Sequence, residues 1–408
     1  MAEFEDREHF IPLRKSDLIE LLCKDKKLLR QEQEPFRQFC KLAGCVFHYE
    51  YLGELEELKD DYAPFDPDAD TTTLTPLTPE EKEKRREQLF DAFDHLLQRA
   101  NFMHMTWEEV VEAIRQHPGE FGLNTDVDMR VFERLEVYVR GEAISKRTRR
   151  RWQNLWRTEV VPVPVYQRLA LIAKLRPHHR LGSEINTDVI YLKLFKNIPK
   201  ANQDMLLPGA RPRLSKLDRW MIYTPLAAGI MMTLYGIGLS IFEAGAATLS
   251  MAALWSVAAA IGGYGYKSYH SYQVKKQDYN LKLTKSLYFQ SLDNSTGVLM
   301  RVLDEAEEQE CRETYLAYFC LWKYAPPEGW TAPLLDDYVE LYLEGNANLK
   351  VDFEIGDALD KLERLKLVKK TGDHYHSVPL NTALEMLDYI WDNYFKYNNP
   401  EYEAPPVT

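Results

Sequence analysis

Cysteine is scarce in this chain of 408 residues: Cys23, Cys40, Cys45, Cys311 and Cys320 are all there is. Five is too few and too odd a number for a disulfide framework, which points to a reducing compartment. No targeting leader is expected from the first residues. The opening MAEFEDREHF is acidic. It has neither the basic and then apolar run of a signal peptide nor the Arg/Ser-rich, acid-poor character of a transit peptide. No Gly-rich phosphate loop follows a strand, and neither G-x-S-x-G nor H-E-x-x-H occurs. No reaction is legible, and no cofactor or metal is expected.

The most pronounced absence is of charge. Charged residues are 28% of the chain, yet residues 220–266, WMIYTPLAAGIMMTLYGIGLSIFEAGAATLSMAALWSVAAAIGGYGY, carry Glu243 alone. A core helix seldom runs past ~20 residues without a polar face, and a bilayer core of ~30 Å takes ~20 helical residues. Two spans are therefore expected, Trp220–Phe242 and Ala246–Tyr266, with Glu243 hydrated at the hairpin tip. Arg211, Arg213, Lys216 and Arg219 precede the segment, and Lys267, Lys275 and Lys276 follow it. With Trp220 they form the expected membrane interface, and the positive-inside rule puts both ends in the cytoplasm. The segment is rich in small residues. Gly229 and Gly236 lie one heptad apart and Ala259-x-x-x-Gly263 is a small-xxx-small pair, so packing between protomers is expected.

Charge is unevenly distributed. Residues 1–139 are net −14, residues 140–219 net +12 and residues 267–408 net −9. The densest basic run, RGEAISKRTRRRWQNLWR, contains Lys146, Arg147, Arg149, Arg150 and Arg151. Lipid head groups, an acidic unit of this or another copy, and nucleic acid all fit such a patch. The acidic unit beside it disfavours nucleic acid.

Composition divides the chain into a helical region 1–62, a Pro/Thr/Asp-rich linker 63–79, a helical region 80–157 ending in the basic run, and a small sheet with a juxtamembrane segment 158–219. The hairpin 220–266, a helical region 267–325, a winged-helix-like unit 326–400 and a tail 401–408 complete it. Thr78-Pro79-Glu80-Glu81 predicts a capped helix start. VVPVPVYQRLALIAKLR and DVIYLKLFK predict paired strands. IGDALDKLERL followed by LVKKTGDHYHSVPL predicts a helix and a two-stranded wing. That helix mixes Asp357, Asp360 and Glu363 with Lys361, Arg364 and Lys366, which favours a protein partner over DNA. The fold class expected is α+β, mainly α, around a transmembrane hairpin.

Few constellations could carry chemistry. Cys40, Cys45 and His48 form the one local Cys/His cluster, but a structural zinc takes four ligands, so the cluster reads as core. His374 and His376 share one face of a strand, and His178-His179 lie in a turn. DEAEEQE (304–310) reads as an exposed helix face.

VYQRLALIAKLR, VIYLKLFKNIPKANQDMLLPGARPRLSKLDR, RANFMHMTWEEVVEAI, VFERLEVYVRGE and YFQSLDNSTGVLMRVLDEAEEQECRETYLAYF together resemble the transmembrane protein 143 family, over about residues 9–396. That family is of unknown function and has members in bacteria, plants and animal mitochondria. The resemblance implies two membrane spans and transfers no catalytic residue. The expectation is a multi-pass protein of the bacterial inner membrane, with lipid and further copies of itself as partners. It would act as a scaffold or gate; a membrane-bound enzyme and a tethered winged-helix regulator are the alternatives.

Overall fold

The computed structural model describes residues 7–395 apart from 73, 75, 117–123, 151–157, 183–184, 201–205, 210, 214–219, 221–222, 225–226, 230, 233–234 and 236–250. Its axis is a long helix, α6 (Thr296–Tyr324), whose residues from Val298 to Leu321 are largely buried. Around it pack α1 (Lys15–Cys23), α2 (Gln33–Tyr62) and α3 (Pro79–Arg99) on one side. On the other lie α7 (Ala332–Ala347) and α8 (Ile355–Arg364), while α9 (Leu380–Asn393) returns across α2. Aromatic rings lock the α2–α6 seam: Phe39 stacks on Tyr318 at 4.3 Å and Phe36 meets Phe319 edge-on at 5.4 Å. The start of α3 is a reciprocal cap, in which Thr78 accepts from the Glu81 amide and Glu81 accepts from Thr78.

An antiparallel five-stranded sheet lies against this bundle, in the order β1 (Met103–Met105), β3 (Phe132–Arg150), β4 (Thr158–Leu175), β5 (Ile190–Pro199), β7 (Ser291–Asn294). A period of two divides its side chains. Ala170, Ile172, Ile190, Leu192 and Leu194 join the helical core. Val137, Val139, Leu169, Leu171, Ala173 and Phe195 form a second core with Val110 of α4 (Trp107–Gln116). The Tyr62 hydroxyl donates to the Ile190 carbonyl at 3.0 Å, tying α2 to the sheet. Beyond Val165 the β3–β4 hairpin continues as a two-stranded ribbon to Arg150↔Thr158. Residues 132–150, grouped with a helical region from sequence, are strand, paired along their length with β4. The stretch read as a linker is anchored. Asp66 accepts from the Thr296 hydroxyl at 2.8 Å and Asp68 from the Ser295 hydroxyl at 2.7 Å.

The C-terminal unit has helix, helix and hairpin in the expected order. Strands β9 (Val368–Thr371) and β10 (His374–Ser377) turn at Gly372, whose φ of +63° suits glycine, and β8 (Trp330–Thr331) completes a three-stranded sheet. The N-terminal strap closes onto it: Glu8 bridges Val351, and Arg7 donates to the Val351 carbonyl at 3.1 Å.

The membrane hairpin is overturned. Among the described residues no helix is long and apolar enough to cross a membrane. The proposed second span is the beginning of α5 (Met251–Gln290), one continuous helix of 40 residues. Residues 246–250 of that span and much of the first, 220–242, lie outside the described residues, and α5 begins with the apolar stretch 251–266. It then runs on through Lys267, Lys275, Lys276 and Asp278. The inner-membrane location and the cytoplasmic ends fall with the hairpin. Lys267 and Lys276 are exposed on α5, Lys275 belongs to the same helix, and Trp220 is exposed. Arg211 and Arg213 pair in a short strand, β6 (Arg211–Arg213), with β2 (Asn124–Asp126). Gly229 is buried, and Ala259 and Gly263 are exposed on α5. Lys146 is exposed on the ribbon, in whose strand β3 Arg147, Arg149 and Arg150 also lie. Lys216, Arg219, Gly236, Glu243 and Arg151 lie outside the described residues.

Candidate functional site

One side of α2 opens on a cavity of about 690 Å³, a size typical of small-molecule sites. Arg37, Cys40, Lys41, Gly44, Cys45, His48, Tyr49 and Leu52 recur at the three- and four-residue spacing that puts them on one helix face. Helix α1 supplies Lys15, Ser16, Ile19 and Glu20 as one wall, α9 supplies Trp391 as the other, and α6 provides the floor with Glu307 and Tyr315. Ile19, Tyr49, Leu52 and Trp391 make the chamber apolar.

Its polar groups meet around Glu307, from an exposed His48 on α2 and Lys15 on α1. Glu307, with a side chain 9% exposed, accepts from His48 Nδ1 at 2.8 Å, and Lys15 Nζ stands 3.9 Å from its other oxygen. An ionised carboxylate can only accept, so the proton of this bond lies on Nδ1, and in the neutral ring the lone pair is on Nε2. Arg37 pairs with Glu20 at 2.9 Å at the rim, where Lys41 is exposed. The Tyr315 hydroxyl donates to the Cys40 carbonyl at 2.6 Å, and burial pushes its pKa well up. Gly44 makes room for that hydroxyl, since a Cβ there would stand 2.9 Å from it.

The cluster read as core from sequence is therefore divided. Cys40 is buried, and burial holds its thiol well above the ordinary range. Cys45 is part-exposed and, like His48, faces the cavity. Among the described residues no group of three or more His, Cys, Asp and Glu side chains could hold a metal ion. Sequence reasoning missed Glu307 because DEAEEQE reads as a solvated face. Glu307, Gln309 and Glu310 are in fact buried, satisfied by partners far along the chain. The helical spacing of Cys45, His48 and Leu52 was the available signal.

The other candidates do not assemble a site. His178 lies near Asp128, and its Nδ1 accepts from the Arg180 amide at 3.3 Å. His374 and His376 sit within the wing, His376 packed close under Gly329. On α8, Lys361 and Arg364 turn toward acids of α6 and α2 and leave Gly356, Asp357 and Asp360 exposed.

Residues 132–297 match a family described as a protein of unknown function (DUF3754). That domain spans the sheet strands β3, β4, β5 and β7 together with α5. The match carries a domain of unknown function and no link to transmembrane protein 143. No solved structure matches the chain. The cavity is built from residues 15–52 and 307–391, outside the matched stretch.

Proposed function

We propose that this chain is a binding protein for an amphipathic small molecule, whose apolar body lies along α2 and whose polar head meets His48, Glu307 and Lys15. The observation that carries this reading is the apolar chamber of about 690 Å³ ending in those convergent polar groups. Its test is titration of the full chain with a fluorescent long-chain fatty acid. Saturable binding, displaced by unlabelled fatty acid and weakened at least tenfold by Ile19→Trp or Leu52→Trp, is expected. Absence of saturable binding, or binding unchanged in both filled variants, would reject it.

Self-association is a second reading, favoured by α5. Trp255, Tyr266 and Tyr269 are 70%, 71% and 61% exposed. Gly262, Gly263 and Gly265 have open space where a Cβ would stand. Exposed apolar surface of this extent marks interaction sites, and a second copy presenting the same small-residue face could approach closely. The chain would then serve as a scaffold. Sedimentation at micromolar concentration should show a dimer or larger species that Trp255→Lys dissociates; a monomer at every concentration would end this reading.

A further inference from the structure

We propose that Cys45 is an acyl-acceptor thiol, modified by a long-chain acyl thioester bound in the α1–α2–α9 cavity. This rests on the amphiphile reading above and adds a covalent step to it. Cys23, Cys40, Cys311 and Cys320 are buried, and Cys45 is the part-exposed member of the five. It lies in the wall of the apolar chamber, where a bound chain would bring its reactive carbonyl beside the thiol. His48 follows one helical turn later on the same face. Its Nδ1 is held by Glu307 at 2.8 Å, which orients the ring; in the neutral ring Nε2 is the base. A nucleophile, a base and a group that orients the base are the elements of covalent acyl transfer. Cys45 and His48 are not hydrogen-bonded to each other in this structure; catalytic contacts of this kind often tighten only when substrate binds.

The step balances without oxidant or reductant. His48 Nε2 takes the Cys45 proton, and the thiolate sulfur adds to the thioester carbonyl carbon. The tetrahedral intermediate then collapses, breaking the donor's carbon–sulfur bond. The departing thiolate recovers the proton from His48, and the acyl group remains on Cys45 through a new thioester bond.

The experiment incubates the full chain with the coenzyme A thioester of palmitate and follows intact mass. The expected result is the gain of one palmitoyl group, removed by neutral hydroxylamine, mapped to Cys45 and absent in Cys45→Ser. His48→Gln should slow adduct formation at least ~10²-fold, and binding of the fluorescent acid is followed in the wild-type chain. An adduct on another cysteine, or the same rate in His48→Gln at every pH, would overturn the proposal. So would no adduct while the fluorescent acid binds saturably, an outcome that leaves the amphiphile reading intact. Neither adduct nor binding would remove both.

Discussion

Lys361 Nζ lies 3.2 Å from Glu310 and 3.7 Å from Glu313, with a side chain only 13% exposed. It belongs to α8, the second helix of the C-terminal unit, and is turned to the interior. Arg99 reaches the same Glu310 oxygen at 2.8 Å, spans to Glu54 at 2.7 Å and lies over the Tyr51 ring at 4.4 Å. One buried ionic network thus joins α2, α3, α6 and α8. It fixes the C-terminal unit against the bundle, and so places α9 where Trp391 can wall the cavity.

Lys361→Met should therefore destabilise the whole chain. The substitution keeps the apolar stem but leaves Glu313 without its cation and Glu310 with Arg99 alone. Breaking one partner of a buried pair costs about 3 kcal/mol. Urea unfolding should show a lower midpoint with an unchanged slope, and adding Glu313→Gln should recover part of the loss because one uncompensated charge is removed.

The same network makes stability depend on pH in a stated direction. Burial pushes the Glu313 carboxyl up to about 7 from an ordinary 4.5. A carboxyl raised on folding binds its proton more tightly in the native state. Its contribution is fully present below about pH 4.5 and is lost as pH rises through 7. At about 1.4 kcal/mol per pKa unit, roughly 3 kcal/mol is at stake. Glu310 acts the other way. Burial works to raise it, but Lys361 and Arg99 hold it below its usual range. Its contribution falls away only as pH drops through that lowered value. Unfolding free energies of wild type and Glu313→Gln should diverge between pH 5 and pH 8, with the variant the flatter of the two.

Elements whose cause is local were legible in sequence. The Thr78 cap, the alternation of Ile190, Leu192 and Leu194 in β5, and the wing turn at Gly372 all follow from neighbours a few residues apart. What was not legible depends on distant partners. Glu307 and Glu310 look solvated in DEAEEQE, because His48, Arg99 and Lys361 lie roughly 50 to 260 residues away. The low charge of residues 220–266 reads as lipid solvation. Helix α5 nevertheless continues without a break into a polar stretch, and continuity of that kind leaves no trace in hydropathy. The cavity was half visible: α2 showed its face, but the floor comes from α6 and the far wall from α9.

The N-terminal strap should behave as a separate cooperative unit. Arg7 contacts Glu340 at 3.0 Å and Glu344 at 3.5 Å, in a region where Asp336 and Asp352 add further negative charge. Arg7 offsets part of that charge at Glu340 and Glu344. Arg7→Met should raise hydrogen exchange at the Glu8 and Asp352 amides, which donate to Lys350 and Glu8 respectively. Exchange in α6 should stay nearly unchanged, since local openings lie below global unfolding in free energy. A uniform rise across the chain would show instead that the strap is integral to the bundle.

Gly44 and Tyr315 give the sharpest test of the cavity floor. A Cβ at Gly44 would stand 2.9 Å from the Tyr315 hydroxyl, closer than real Cβ atoms come. That hydroxyl is fixed by its 2.6 Å bond to the Cys40 carbonyl and sits at the end of a rigid ring. Gly44→Ala must therefore displace the ring and break the bond, leaving a buried donor and acceptor unpaired at about 1–3 kcal/mol. Helix propensity alone would have Ala stabilise this position by ~1 kcal/mol, so the sign of the effect decides between local and tertiary control. Tyr315→Phe removes the clashing oxygen. In the double variant Gly44→Ala with Tyr315→Phe, alanine should be neutral or stabilising relative to Tyr315→Phe alone. A thermal-denaturation cycle over the four proteins checks this. Additive effects of the two substitutions would mean that the glycine does not owe its place to the tyrosine hydroxyl.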